Sequence, residues 1–179
     1  MRPMKPDPGI RVQAVRIPTE NSGMFALLLS PLAAPKNATG ILWLHGGGYI
    51  AGMKEMVHAS RAVDLVKKFG AVVLSPGYRL ALKAPYPAAI DDCYAALLYL
   101  KAHAAAFGVR SDQLMVGGES AGVPAELDVY HSDMHAFDMM RPDDVLSIQA
   151  AEAFNTRFAD AQARFFTPQH EIQEERHDS

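Results

Sequence analysis

The spacing of two strand-like segments around one glycine-flanked serine limits the topology of this chain more than any other feature. The first segment, 113–116, leads into the run GESAG at 118–122, and the second segment begins at Ala125. Neighbouring parallel strands need a crossover connection of a dozen or more residues, and the stretch 117–124 is too short to provide one. The segments at 113–116 and 125–130 are therefore predicted not to be parallel neighbours in one sheet.

Upstream of this serine, strand-like and helix-like segments alternate. Residues 11–17 and 24–29 have a turn composition between them and predict an antiparallel hairpin. Short apolar runs at 41–44 and 71–74 predict strands that are buried on both faces. The alternation predicts an α/β fold with a mostly parallel sheet and helices on both faces.

Three helices are predicted around these strands. The first covers about 58–69 and ends at Gly70, and the second covers about 88–106 and stops at Gly108. Apolar residues at helical spacing predict the buried face of the second helix, namely Ile90, Cys93, Leu97, Leu100 and Ala104. The same spacing predicts a final helix from Ala151, Phe154, Phe158, Ala161 and Phe165.

Composition excludes several classes of protein. The 179 residues, 49% of them hydrophobic, suffice for one domain with its own core. A net charge of −3 favours neither nucleic acid nor an anionic membrane surface as a partner, and no apolar run reaches the length of a membrane span. The lone Cys93 excludes an internal disulfide. No secretory signal is evident, so a cytoplasmic protein is expected. No cofactor is expected.

Ser120 is the candidate nucleophile. A serine hydroxyl is a poor nucleophile, so acyl transfer requires a strained turn that exposes it, a base, and donors for the developing oxyanion. Gly118 and Gly122 suit the tight turn between a strand and a helix. The pentapeptide alone also fits an ordinary glycine-rich loop.

Four motifs together resemble the hormone-sensitive-lipase-like carboxylesterases of the α/β-hydrolase fold. They are ILWLHGGG at 41–48, YRLA at 78–81, GESAG at 118–122 and YHSDMHAFD at 130–138. The resemblance implies a carboxylic-ester hydrolase that acts on small acyl esters through an acyl-enzyme at Ser120. It implies that His135 is the catalytic base and that the oxyanion hole involves Gly46, Gly47, Gly48 and Ala121.

Two readings of polar residues stay open within this resemblance. His131 and His135 could hold a metal ion with Asp133 or Asp138, although no helical H-E-x-x-H motif supports that reading. Arg79, in the scaffolding arm of the family, lacks the acidic neighbours that the family usually has. The aspartates at 91 and 92 could take their place.

The chain also departs from the family, because the stretch between the serine turn and the histidine is much shorter. The family has a helix, two more strands with their helices and the acidic triad member there. The chain therefore resembles an internally truncated member, with a junction between Gly122 and Val123 and without the family's cap. Residues 1–166 are expected to form the truncated domain, and 167–179 a polar, disordered tail.

The shortening weakens the expected catalytic triad. Glu126, Asp128 and Asp133 lie too close in sequence to Ser120 to stand where the family's acid stands. A strand over 125–130 that runs back from the turn would carry His135 roughly 20 Å away, at about 3.3 Å per residue. Besides an ester hydrolase, two alternatives stay open: an impaired remnant that binds a small ligand or a partner, and a non-functional deletion product. Self-association through an uncovered sheet edge is expected.

Overall fold

The computed structural model describes residues 4–19, 23–119 and 140–165. The described strands are β1 (Ile10–Ile17), β2 (Met24–Pro31), β3 (Ala38–Leu44), β4 (Val72–Pro76) and β5 (Val109–Gly118). The described α-helices are α1 (Ala62–Phe69), α2 (Ala88–Ala102) and α3 (Val145–Phe165), and short 3-10 helices cover Lys54–Ala59 and Ala105–Phe107.

The five strands form one mixed sheet in the order β1-β2-β4-β3-β5. β1 and β2 form the expected antiparallel hairpin, and β2 is also antiparallel to β4. β3 is parallel to both of its neighbours, β4 and β5, which are reached through the crossovers that contain α1 and α2. The sheet confirms the predicted α/β-hydrolase class of fold.

β3 is buried along its whole length because helices cover both faces of the sheet. Its side chains alternate between two apolar clusters, as the pleat of a strand requires. Leu42 packs in the cluster that contains Leu100 of α2. Trp43 packs in the opposite cluster with Leu65 of α1 and Phe158 of α3. The strand runs predicted at 41–44 and 71–74 therefore occupy the centre of the sheet.

The helix predicted over 58–69 is in fact two elements. Ser60 has an extended backbone, with φ −91° and ψ 172°, and its Oγ accepts a hydrogen bond from the amide of Ala62 at 3.1 Å. The 3-10 helix therefore ends before Ser60, and α1 begins after it. Gly70 ends α1 in the left-handed conformation, with φ 66°, as predicted.

The second predicted helix is shorter than expected, and one residue of its predicted buried face is exposed. α2 ends at Ala102 because His103 leaves the helical conformation, and a 3-10 turn then leads to Gly108. Ile90 was expected in the core, yet half of its surface is exposed. Of the other predicted residues, Leu100 and Ala104 are buried, and Cys93 and Leu97 are partly buried against the same core. The buried face of α2 also includes Ala88, Asp92 and Ala96. The prediction failed at Ile90 because the helix turns its small alanines toward the sheet, together with Asp92, which pairs with Arg79.

The remaining elements agree only in part with expectation. β5 extends beyond the predicted 113–116, since its pairing with β3 begins at Val109 and passes an irregularity before Leu114. The last helix is present as α3. The strand predicted over 125–130 and the tail at 167–179 lie outside the described residues. Within the described ranges, no helix is long and apolar enough to cross a membrane.

Candidate active site

The ends of two parallel strands bring two loops together. Leu44 ends β3 and is paired in register with Gly118, which ends β5. One residue further on, the amide of Glu119 donates a hydrogen bond to the carbonyl of Leu44 at 3.2 Å. The carboxyl ends of parallel strands are where sheets of this kind carry their sites. His45 and Glu119, the residues that directly follow the two strands, thus lie side by side at the same edge.

The loop after β3 is a tight turn that only glycine can form at position 47. Gly47 has φ 117°, and a Cβ atom there would collide with the carbonyl oxygen of Ala51. The amides of Ile50 and Ala51 both donate to the Gly47 carbonyl at 3.1 Å. Within the described part of the chain, the N–H groups of Gly47 and Gly48 donate no hydrogen bond. They are available for an acceptor from outside the loop.

His45 lies buried beneath this loop and supports it. Its ring stacks on Tyr78 with centroids 4.0 Å apart and planes 7° apart. The Tyr78 hydroxyl donates to the His45 carbonyl at 2.7 Å, and His45 Nδ1 is 3.0 Å from the Gly46 carbonyl. A Cβ at Gly52 would approach Nδ1 to 2.5 Å, so the ring fills the space under the turn.

Burial determines the charge state of this stacked pair. Desolvation lowers the pKa of His45 below its ordinary value, only partly offset by its contact with the Gly46 carbonyl. Desolvation likewise raises the pKa of Tyr78. Both rings are therefore neutral near pH 7, and a neutral His45 donates from Nδ1 to Gly46. The sequence interpretation assigned neither side chain this role, although both stand in motifs that it singled out.

Arg79 has an acidic partner after all. Asp92 accepts from Nε and a terminal nitrogen of Arg79 at 2.9 and 2.8 Å, and from the Arg79 amide at 2.8 Å. The Asp92 side chain is only 4% exposed, whereas that of Arg79 is 37% exposed. Of the two aspartates that the sequence left open, Asp92 is the partner and Asp91 is exposed. The ion pair ties the loop after β4 to α2.

This tied loop in turn reaches the glycine turn. The amide of Ala81 donates to the carbonyl of Tyr49 at 2.8 Å, directly after Gly48. Tyr49 itself has a positive φ of 62°, which is uncommon for a bulky residue and needs support from its surroundings. The chain of contacts from Asp92 through Arg79 to Ala81 thus helps to hold the glycine turn in place.

Two of the cavities in the described part of the chain border the residues at this edge. One, of about 130 Å³, is lined only by apolar surface, from Tyr49, Ala81, Ala84, Tyr86, Pro87, Ala89 and Ile90. The other, of about 350 Å³, lies between α1 and α3 and includes Ser60, Arg61, Glu119 and Asn155 in its lining. The sequence interpretation found neither cavity, because each is formed by residues from separate segments.

The remaining predicted site residues lie outside the described part of the chain. These are Ser120, Ala121 and His135, together with His131, Asp133 and Asp138 of the metal reading and the carboxylates Glu126 and Asp128. Of the predicted oxyanion residues, Gly46, Gly47 and Gly48 are described. Among described residues, no group of three His, Cys, Asp or Glu side chains could hold a metal ion.

The parallel core, the glycine turn and the strand leading to Glu119 define the class of α/β-hydrolases. A family model for the alpha/beta hydrolase fold matches residues 41–129. This match continues past the junction at 122–123 that the sequence analysis predicts. The chain belongs to the α/β-hydrolases, and within them it is similar to the hormone-sensitive-lipase-like carboxylesterases.

Relatives with known names support this membership. Hormone-sensitive lipase from Bos taurus is 31% identical over 104 residues, which are 58% of this chain and 14% of that protein. Ethyl acetate hydrolase from Pseudomonas putida is 38% identical over 82 residues, which are 46% of this chain and 26% of that protein. The matched part therefore spans only about a quarter or less of these relatives.

Solved structures agree with the sequence relatives. A thermophilic and thermostable carboxylesterase cloned from a metagenomic library has a TM-score of 0.59 and 32% identity, covering 66% of this chain and 40% of that one. A bacterial heroin esterase has a TM-score of 0.57 and 29% identity, covering 62% of this chain and 35% of that one. The partial coverage is consistent with a shortened member of the family.

Proposed function

We propose that this chain is a serine carboxylic-ester hydrolase acting on short acyl esters. One observation supports the proposal most: the hydrogen bond from the Glu119 amide to the Leu44 carbonyl holds the residue before Ser120 beside the start of the glycine turn. A nucleophile one residue after Glu119 would then begin within a few ångströms of the loop that carries the candidate oxyanion donors. Family membership supports the same reaction class.

The proposed reaction has two halves. Ser120 Oγ attacks the ester carbonyl carbon and gives its proton to His135, while the carbonyl oxygen gains negative charge. The N–H groups of Gly47, Gly48 and Ala121 would donate to that oxygen, which carries most charge in the tetrahedral intermediate. His135 then protonates the departing alcohol, and a water molecule releases the acid from the acyl-enzyme by the same route in reverse.

The apolar cavity beside the glycine turn indicates the acyl group. Tyr49 and Ala81 line this cavity, and Tyr49 directly follows Gly48. Its volume of about 130 Å³ suits a short hydrocarbon chain and has no polar surface to bind a charged one. The substrate class is therefore a neutral ester with a small acyl part.

An active-site probe tests the proposal directly. We expect an aryl fluorophosphonate to add one phosphonyl group per chain, read by intact mass, and the adduct to disappear in Ser120→Ala. Ser111→Ala is the matched control, because Ser111 is an exposed serine on β5, the strand that leads to the same turn. Undiminished labelling of Ser120→Ala, or no labelling of the wild-type chain, would refute the proposed nucleophile.

Turnover of p-nitrophenyl butyrate tests the base separately. If the short connection keeps His135 away from Ser120, as the sequence analysis predicts, the reaction runs without its base, and we expect a rate at least about a thousandfold below that of a complete family member. His135→Ala should then lower this residual rate by less than about threefold, because the members of a triad act as one unit. A loss of orders of magnitude would show that the histidine reaches the serine.

The alternative functions, the self-association and the cellular location stay predictions. Failure of the probe on a folded chain would favour the alternative of a remnant that binds a small ligand or a partner. Self-association through the sheet edge would use β5, the last strand in the described order, on which Val116 is 43% exposed. The cytoplasmic location and the absence of a nucleic-acid partner rest on the sequence alone.

A further inference from the structure

The helix α2 is apolar on both of its faces. Its inner face is buried against the sheet through Ala88, Ala96 and Leu100. Its outer face carries Ile90, Tyr94 and Leu98, which are 50%, 61% and 47% exposed. Residues four apart lie on one side of a helix, so these three form a continuous stripe. A helix that is apolar all round is normally covered on both sides.

Two opposite charges stand beside this stripe near the two ends of α2. Asp91 lies in the first turn and Lys101 in the last, and both side chains are exposed. Neither side chain takes part in an ion pair with any other described residue. Each charge also matches the helix dipole at its own end, so the outer face has an acidic end and a basic end.

This pattern is complementary to itself. If two copies of α2 pack antiparallel about a two-fold axis at position 96, residues whose numbers are equally far from 96 come to the same level. Asp91 of one copy then lies beside Lys101 of the other, and the symmetry repeats this pair at the opposite end of the contact. Tyr94 of one copy lies beside Leu98 of the other in the same way. The two helices are antiparallel, so their dipoles point in opposite directions. A single stripe thus supplies both halves of an isologous interface.

We propose that the outer face of α2 is the contact of a symmetric homodimer, so that the occupant of this apolar face is a second copy of the chain. The stripe is extended at its N-terminal end by Tyr86, which is 83% exposed. Tyr86 and Ile90 also line the small apolar cavity, so this interface and that cavity share two side chains. With Ile90, Tyr94 and Leu98, this side chain exposes on the order of 500 Å². A stable interface buries about 800 Å² per partner, so the stripe supplies more than half of that area. The dimer is expected to be reversible in the micromolar range.

Charge reversal distinguishes this contact from any other. We expect Asp91→Lys and Lys101→Asp each to raise the dimer dissociation constant at least about tenfold in sedimentation equilibrium. The double variant, Asp91→Lys with Lys101→Asp, restores opposite charges at both ends and should return to within about threefold of the wild-type constant. Lys36→Asp is the control, because it makes the same charge change as Lys101→Asp at an exposed site before β3.

A zero-length crosslink gives the geometry directly. Asp91 and Lys101 are ten residues apart on one helix, which is about 15 Å at 1.5 Å per residue. An amide formed between them by a carbodiimide must therefore join two chains. We expect this crosslinked peptide in the dimer band, with mixed isotopes when labelled and unlabelled chains are combined.

Each remaining result overturns the proposal. A wild-type chain that stays monomeric at 100 μM has this face covered by its own residues outside the described ranges, or not covered at all. A dimer that is indifferent to both single reversals uses another surface, such as the edge of β5. A double variant as weak as the singles shows that the two charges do not meet.

Discussion

The amide of Glu119 and the carbonyl of Leu44 are joined by a hydrogen bond of 3.2 Å across two parallel strands. Leu44 is the last residue of β3 and directly precedes the glycine turn, while Glu119 directly precedes the candidate nucleophile. The bond continues the register in which Leu44 pairs with Gly118. Two motifs that are more than seventy positions apart in sequence therefore begin at adjacent points of one sheet edge.

The two glycines of the turn should differ in their tolerance of a side chain. Gly47→Ala forces a Cβ against the carbonyl of Ala51 at φ 117°, so we expect it to lower the free energy of unfolding by about 2–3 kcal/mol. It should also slow fluorophosphonate labelling at least about tenfold, because the turn must shift its N–H groups.

Gly48→Ala is the matched control for that change. Gly48 has φ 59°, and no atom of a described residue other than its chain neighbours lies within 4 Å of the position that a Cβ would take, so only the conformational cost of about 1 kcal/mol applies. Urea unfolding measures both variants, and the labelling rate is read on the same samples. Equal effects of the two alanines would contradict the role assigned to the Ala51 contact.

Asp92→Asn should destabilise the chain and loosen the glycine turn. The change removes the charge from a buried carboxylate that accepts three hydrogen bonds from Arg79, so we expect a loss of about 1.5–3 kcal/mol. Asp91→Asn, on the exposed side of the same helix, should stay within about 0.5 kcal/mol. Both are measured by urea unfolding at one low protein concentration, which keeps any dimer from contributing. A similar loss in the two variants would show that the Arg79 contact is unimportant.

Stability should fall as the pH drops below about 6.5. Burial lowers the pKa of His45 and of His58 in the folded state below the ordinary 6.5. Above 6.5 both states of the chain have neutral histidines, whereas below it the unfolded state takes up protons first. This contribution to stability is thus fully present above about pH 6.5 and is lost as the pH falls from 6.5 through the lower pKa values of the folded state.

The His58 contribution can be isolated. His58 Nδ1 is buried with no hydrogen-bond partner among the described residues, so His58→Leu removes a titrating group at little cost in bonding. We expect urea unfolding at pH 7.5, 6.5 and 5.5 to show a shallower decline for this variant. His103→Gln, at an exposed position after α2, should keep the wild-type decline. An unchanged decline in His58→Leu would contradict the assignment.

Local patterns in the sequence determined the order of elements and the identity of the glycine turn. The runs at 41–44 and 71–74 are apolar without interruption, which is the pattern of strands covered on both faces, and they are the two central parallel strands. Gly70 ended α1 as predicted, because glycine takes the left-handed conformation without a steric cost, and Gly108 does the same for the 3-10 turn that follows α2. These inferences hold because each depends on residues that are near one another in the chain.

Contacts between distant segments were decided only by the tertiary structure. The sequence allowed either Asp91 or Asp92 to pair with Arg79, and the packing of α2 against the sheet turned Asp92 inward. The same packing left Ile90 exposed, although its spacing matched a buried position, because the orientation of a helix that is apolar on both faces depends on its neighbours. The stack of His45 on Tyr78 likewise joins two segments that no local pattern relates. The periodicity of apolar residues shows which side chains share one face of a helix. Which of the faces packs against the core depends on the neighbouring elements in the tertiary structure.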